Sequence, residues 1–424
     1  MIQDFFSDNT RFLVPVRDPV WKHIWMTEAI SNITHSTPFM RLYRIKQLGP
    51  TELLYPGATH SRASHSIGVY HLALKILKEL LARGADKWVT RTGCYSFLCA
   101  ALLHDIGHFP YTHSLKELPL QDHEELSAAL IMQGELQTLI DKAGGNPEQT
   151  ARIIDKKESG RNTETDFFAH ILSGVLDPDK LDYLNRDAYY CGVPYGLQDV
   201  DFILSRIQPD RNKGITLDSK AVMSIESILF SKYLMYRSVY WHKHIRIATA
   251  MMKKALYLSL KHQFLVPEQL YSIDDQGLYH LIQTLPERIA QLANGVQQNA
   301  LYSLIGEYTC SPDNPVYQTL ENIDSRNQLE TDISEKLSMK TGLSIKSSDI
   351  IIDIPERVSF ESNLFITDEN LPFSLSSTVF SEEIVTRFTT SLRKIRIAVS
   401  PSISLRCTSI PDIDSLLAEW TCVR

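Results

Sequence analysis

The sequence predicts a mainly α-helical protein, a helical bundle core followed by a smaller C-terminal α/β lobe. Three observations predict it. Apolar residues recur at helical spacing through most of residues 20 to 300. After about residue 305 the apolar positions become β-branched and gather in short runs. Candidate ligands for one cation come from three distant segments, a geometry that a bundle can hold.

Val69 to Leu81 carries its apolar residues on one face, with Lys75, Lys78 and Glu79 opposite, and predicts an amphipathic helix. Tyr95 to Leu103 is nearly all apolar and predicts a buried one. A helix is expected over Lys180 to Cys191. Asp177 or Asp179 serves as its N-cap and Gly192 as its stop. Asp210-Arg211-Asn212-Lys213-Gly214 separates two short apolar stretches and predicts a hairpin. Ile225 to Leu260 reads as one or two long helices. Ser348 to Ile354 and Lys394 to Val399 have strand composition. These readings divide the chain into a helical core, 1–305, and a mixed lobe, 306–424.

Composition narrows the function. The chain has 424 residues, 43% hydrophobic and 22% charged, as in ordinary globular proteins. No run of about 18 apolar residues occurs, and Met1 to Asp8 lacks the pattern of a secretory signal. The six cysteines, at 94, 99, 191, 310, 407 and 422, form no CxxC pair and read as reduced thiols. A cytoplasmic protein is expected. The formal net charge of −7 disfavours nucleic acid as a partner. The cluster Lys243, His244, Arg246, Lys253 and Lys254 therefore reads as a solvated helix face.

Leu103-His104-Asp105-Ile106-Gly107-His108 carries the strongest chemical signal. An imidazole and a carboxylate side by side can turn toward one cation, and on a continued helix His108 shares the face of His104. His65 lies upstream and Asp179 downstream. His65, His104, Asp105 and Asp179 together make a mixed nitrogen/oxygen set for a divalent metal. Such a set suits Mn, Fe, Ni, Co or Zn, and spacing does not choose among them. Six of the 14 histidines (60, 65, 104, 108, 113 and 123) fall within 64 residues. Asp182 and Arg186 are spaced i, i+4 and read as a surface or buried ion pair. Lys180 reads as a helix start or as a phosphate-holding charge.

The order His, His-Asp, Asp resembles the HD-domain phosphohydrolases. Phe39 to Gly49, Tyr55 to Arg62, His65 to Val69, His104 to His113 and Asp179 to Asp187 resemble the deoxynucleoside triphosphate triphosphohydrolases within that family. The resemblance runs from about Asn32 to Lys254. It implies an HD-domain bundle and cleavage of dNTPs to deoxynucleoside and triphosphate. One transition metal would be resident, with Mg a companion of the triphosphate, in a homo-oligomer. It implies phosphate contacts at Arg62 and Lys180, and histidines around the α-phosphate at His108, His113 and His123. His123 or His113 would protonate the leaving oxygen. Tyr183 would contact a phosphate or the sugar, Asp187 would accept from the sugar 3′-hydroxyl, Gln47 and Leu48 would read the sugar, and Lys232 would meet the terminal phosphate. Tyr240 and Trp241 would fall in the stretch that faces the base and sugar. This sequence departs from the family in three places. Lys116 stands where an acidic residue is common, Trp241 replaces a polar residue, and His35 to Met40 lacks the aspartate of the activator site. A phosphohydrolase acting on nucleoside monophosphates or another phosphoester, and a non-catalytic nucleotide sensor, are the alternative readings.

Overall fold

A computed structural model describes residues 12–155, 157, 162–310, 314–358 and 364–404. The N-terminal Met1 to Asp8, Cys407 and Cys422 lie outside the described residues.

Helix α1 (Arg62–Ala82) starts at Ser61, whose hydroxyl caps the Ser64 N–H. Helix α2 (Arg91–Leu103) is buried along its length from Gly93 onward, as its apolar sequence predicts. Helix α3 (Pro178–Cys191) opens with Asp177 capping the Lys180 N–H and Pro178 in the first turn. It closes on Gly192, whose φ of 66° suits glycine. These three helices and their neighbours share the largest apolar cluster, which runs from Phe12 to Phe380.

The expected hairpin forms between β3 (Ile207–Asp210) and β4 (Gly214–Leu217). The stretch from Val222 divides into α4 (Val222–Met235), one π-helical turn (Tyr236–Tyr240) and α5 (Lys243–Lys261). Helix α5 organises a second apolar cluster. Among the described residues no helix is long and apolar enough to cross a membrane. Cys94, Cys99, Cys191 and Cys310 are buried and unpaired with one another.

An N-terminal hairpin, β1 (Val14–Asp18) with β2 (Lys22–Met26), packs on the helical body. The C-terminal lobe holds a three-stranded antiparallel sheet in the order β5-β9-β6, covered by α6 (Ile323–Thr341). Strand β5 (Ser303–Thr309) straddles the 305/306 division. Strand β6 is Ile350–Asp353 and β9 is Lys394–Val399. The intervening chain leaves the lobe. Its short strand β7 (Phe365–Ile366) pairs with β4 in parallel and with β8 (Leu371–Pro372) in antiparallel fashion. Ile366 and Phe373 thereby enter the main apolar cluster.

Helix α5 corrects one expectation. Lys243 is exposed and His244 half-buried, but Arg246, Lys253 and Lys254 are buried and do not belong to a solvated face. Arg246 meets Asp353 at 2.7 Å and Glu356 at 3.1 Å. Lys253 meets Glu117 at 2.6 Å, and Lys254 pairs with Glu330. Charge that reads as surface in one helix is neutralised by carboxylates supplied from elsewhere in the chain.

Candidate active site

A second expectation fails at the His-Asp motif. Helix α2 ends at Leu103, and Asp105, Ile106 and Gly107 turn away from its axis. His108 therefore does not share a helical face with His104. Two features enforce the turn. The buried Arg41 guanidinium donates to the Ile106 carbonyl at 2.7 Å and the His108 carbonyl at 2.6 Å, replacing helical partners. The helix His123–Ile131 crosses directly over Gly107, where any Cβ would stand 2.4 Å from the His123 carbonyl oxygen. The turn sends His104 to one side of Asp105 and His108 to the other.

On the first side the four predicted ligands converge. His65 Nε2 lies 3.0 Å from Asp179 Oδ1 and 3.9 Å from Asp105 Oδ2. His104 Nε2 lies 3.3 Å from Asp105 Oδ1 and 3.8 Å from Asp179 Oδ1. Atoms about 2.0–2.2 Å from a shared ion stand roughly 3–4 Å apart, so the spacing suits a divalent cation. His104 Nε2 is buried and makes no hydrogen bond, as a lone pair kept for a metal would be. Burial alone would lower the His65 pKa. Its hydrogen bonds to Asp179 and Asp182 outweigh burial and hold it up to about 10, so positive charge is favoured at this point. Burial would raise Asp105, but His108, His104 and Arg62 together hold it well below the carboxylate range.

On the second side lie His108, His113 and His123. His108 Nε2 is 3.1 Å from His113 Nε2, and the His108 and His123 rings are 4.0 Å apart. His108 Nδ1 approaches Asp105 Oδ1 at 3.4 Å. With Lys116 in place of an acidic residue, His113 is held by His108 rather than by a carboxylate. Glu117 turns instead to Lys253 and to Arg326, at 2.6 and 2.5 Å. Burial pushes His123 down to about 4, so it is neutral at pH 7 in the free protein.

Both sides meet a cavity of about 530 Å3. Its walls include every predicted site residue except His108, which stands behind His113. Arg62 Nη1 donates to Asp105 Oδ2 at 2.7 Å, while its Nε is buried without a partner. Lys180 reaches back to Asp177 and the Gly174 carbonyl, yet still lines the cavity. Lys232 is buried in the same wall. Asp187 accepts from Tyr240 Oη at 2.7 Å and holds His60 Nε2 at 2.8 Å. Gln47 Oε1 and Trp241 Nε1 are buried polar atoms without hydrogen bonds. A larger hollow, about 840 Å3, lies beyond Tyr111 and contains none of the four ligands. Its cations Arg44 and Lys46 already face Asp274 and Glu52.

Several contributors have no local signature in the sequence. Arg41, His60, Glu356 and Arg357 act here through partners far along the chain. The bunching of histidines is the one signal that could have marked His60. Gly68 is another. A Cβ there would stand 1.9 Å from Asp182 Oδ1 and 2.4 Å from Arg186 Nη2. Gly68→Ala is expected to lose about 1–3 kcal/mol by overpacking. Urea melts of the two proteins measure it, and an unchanged midpoint would show that the pair can move aside.

A helical bundle that gathers His, His-Asp and Asp at the floor of a cavity defines the HD class. The family model of the HD domain matches residues 62–163, and that of the HD associated region matches 199–380. The uncharacterized protein MJ1154 of Methanocaldococcus jannaschii is 31% identical over 363 residues, 84% of this chain and 72% of the relative. A Dictyostelium discoideum relative, named a deoxynucleoside triphosphate triphosphohydrolase SAMHD1 homolog, is 26% identical over 362 residues. That match covers 80% of this chain and 66% of the relative. A phosphohydrolase structure from Bacteroides thetaiotaomicron shares the fold with a TM-score of 0.70 at 22% identity, covering 91% of this chain and 99% of that one. The chain spans about half the length of several other curated relatives that it matches. The chain belongs to the HD-domain phosphohydrolase family, in the group that resembles deoxynucleoside triphosphate triphosphohydrolases.

Proposed function

We propose that this protein hydrolyses deoxynucleoside triphosphates to deoxynucleoside and inorganic triphosphate. The observation that carries the reading is the four-ligand cluster opening onto a cavity with cationic walls. Two imidazoles and two carboxylates fit Mn, Fe, Ni, Co or Zn, and such an ion, when bound, polarises phosphoryl oxygens and acidifies water.

The chain's own residues would do the rest. Arg62 has a buried donor to spare, and guanidinium is suited to a phosphate oxygen. Lys180 and Lys232 add positive charge along the triphosphate, with Mg as its counterion. His123 and His113 line the cavity, and one of them would pass a proton to the leaving 5′ oxygen. The arriving triphosphate would raise their affinity for that proton, offsetting the burial that keeps His123 neutral in the free protein. Asp187 is held by His60 and Tyr240 as a fixed acceptor for a sugar hydroxyl. Gln47 offers a bare acceptor beside Leu48, Tyr183 lines the sugar end, and Trp241 offers a bare donor on the base side. The reading also makes the protein a cytoplasmic homo-oligomer, which light scattering tests. Nucleic acid has less to hold, since Arg246, Lys253 and Lys254 of α5 turn inward.

Incubation with each of the four dNTPs and NTPs plus Mn, with chromatography of the products, tests the reaction. Free triphosphate is the expected product. Release from a nucleoside monophosphate or another phosphoester alone would favour the alternative hydrolase, and no turnover of any phosphoester would favour the sensor. Leu48→Gly is expected to raise NTP use relative to dNTP use by about 10-fold or more, read as the ratio of kcat/KM values. An unchanged ratio would remove Leu48 from sugar selection.

A further inference from the structure

Behind His65, on the side away from the cavity, runs a buried chain of charged groups that ends in the N-terminal hairpin. His65 Nδ1 lies 2.8 Å from Asp182 Oδ2. Arg186 forks onto the same carboxylate, Nε to Oδ2 at 2.8 Å and Nη2 to Oδ1 at 2.9 Å. Its remaining nitrogen, Nη1, donates to Asp18 Oδ2 at 2.7 Å. Trp21 Nε1 donates to Asp182 Oδ1 at 2.5 Å. Asp182 and Arg186 have no exposed surface, and Asp18 is 8% exposed.

The hairpin is built to present these two groups. Asp18 Oδ1 accepts from the Val20 and Trp21 backbone N–H groups at 2.9 and 2.8 Å, which fixes the turn. Lys22 closes it with a φ of 67°, a conformation that side chains rarely adopt. On the other side, Gly68 of α1 leaves the room in which the Asp182–Arg186 pair fits.

The electrostatics decide what this arrangement does to His65. Asp182 is an acceptor only, and four donors fill its two oxygens. Its contact with His65 therefore places a proton on Nδ1. Nε2 is the nitrogen that faces Asp179 and Asp105, and it is the one that would give up its proton to a cation held there. Arg186 is shared between two carboxylates, Asp182 and Asp18, so its guanidinium is held from both sides.

We propose that the β1–β2 hairpin is a working part of the metal centre. Asp18 and Trp21 are positioning residues that hold the Asp182–Arg186 pair, and through it the tautomer and orientation of His65. The inference rests on the metal-site reading above, although not on the nature of the substrate. Groups that orient a metal-bound histidine typically change affinity by about 10–100-fold.

The test titrates Mn2+ alone into the metal-free full-length chain, with free Mn2+ read by electron paramagnetic resonance. Asp18→Asn and Trp21→Phe are each expected to raise the Mn2+ Kd by about tenfold or more. Trp21→Phe keeps an aromatic ring and removes one N–H, so it reads the contact even where Asp18→Asn loosens the hairpin. Imidazole 15N spectra of the Zn2+-loaded protein give a second readout. Wild type is expected to show a downfield His65 Nδ1–H held by Asp182, and Asp18→Asn to move that proton upfield as the contact loosens. A hairpin with a merely structural role would lower the melting temperature and move neither measurement. Folded variants that bind Mn2+ as tightly as wild type, with an unchanged His65 spectrum, would overturn the inference. A wild-type chain that binds Mn2+ and releases no triphosphate would overturn the proposed reaction and leave the hairpin's role standing.

Discussion

Asp105→Ala protein is expected to purify without its divalent metal and to lose hydrolytic activity by about a thousandfold or more. A Lewis acid in such a site contributes several kcal/mol to the transition state, and each 1.36 kcal/mol is about tenfold in rate. Asp105 is the hinge of the site. One oxygen faces His104 at 3.3 Å and His108 at 3.4 Å, and the other accepts from Arg62. Its loss removes a charged ligand and leaves the Arg62 guanidinium buried without its carboxylate. Both effects weaken binding of a cation at the same point. Metal analysis alongside turnover checks this. A variant that keeps full turnover would place the chemistry elsewhere in the cavity.

Arg246→Ala is expected to cost about 3–5 kcal/mol of stability, because it strands Asp353 in the interface between α5 and the C-terminal lobe. Both side chains are 3% exposed. Burial alone would raise the Asp353 carboxyl, but Arg246 overrides burial and holds it below the ordinary carboxylate value. The sign follows from that depression. In the acid range the unfolded chain binds a proton at Asp353 that the folded chain refuses. The pair's contribution is therefore complete above about pH 4, the unfolded value, and is lost as pH falls through the lower folded value. In the variant the lone carboxyl is more easily protonated, so the gap from wild type should narrow in acid. Urea melts at pH 7 and below about pH 4 measure both numbers. Replacing Arg246 and Asp353 together with apolar residues should recover most of the loss. Equal losses in the single and double variants would show that the pair itself is not the source.

The cap of α3, the buried run of α2 and the four side chains that converge at the His104–Asp105 turn were all legible in the sequence, and for one reason. Each is written in residues a few positions apart, or in side chains whose chemistry admits few uses. Asp177 and Gly192 mark the ends of α3 whatever surrounds it. The His104–His108 turn was not legible, because it is set by Arg41 and by a helix pressing on Gly107. Local spacing continues α2, and distant contacts end it. The same holds for α5. An amphipathic pattern separates two faces of a helix, but it does not say whether Asp353, Glu117 and Glu330 will arrive to cover the charged one. Strands β7 and β8 are two residues long and too short to carry an alternation. Asp18 and Trp21 lie outside every motif, and the histidine they support lies in one.

The return of β7 to β4 bears on how the protein is made. Ser219 and Asp368, which are hydrogen-bonded beside this pairing, are separated by 149 residues. Contacts of such separation form late in folding, since a long loop must close before they contribute. On the ribosome, the hairpin of β3 and β4 waits for most of the polypeptide to emerge before its neighbouring strand exists. Glu356, Arg357 and Val358, which wall the catalytic cavity, come just before that strand. A nascent chain would hold His65, His104, Asp105 and Asp179 long before it has an enclosed chamber, so a partial product carries that cluster without the enclosure.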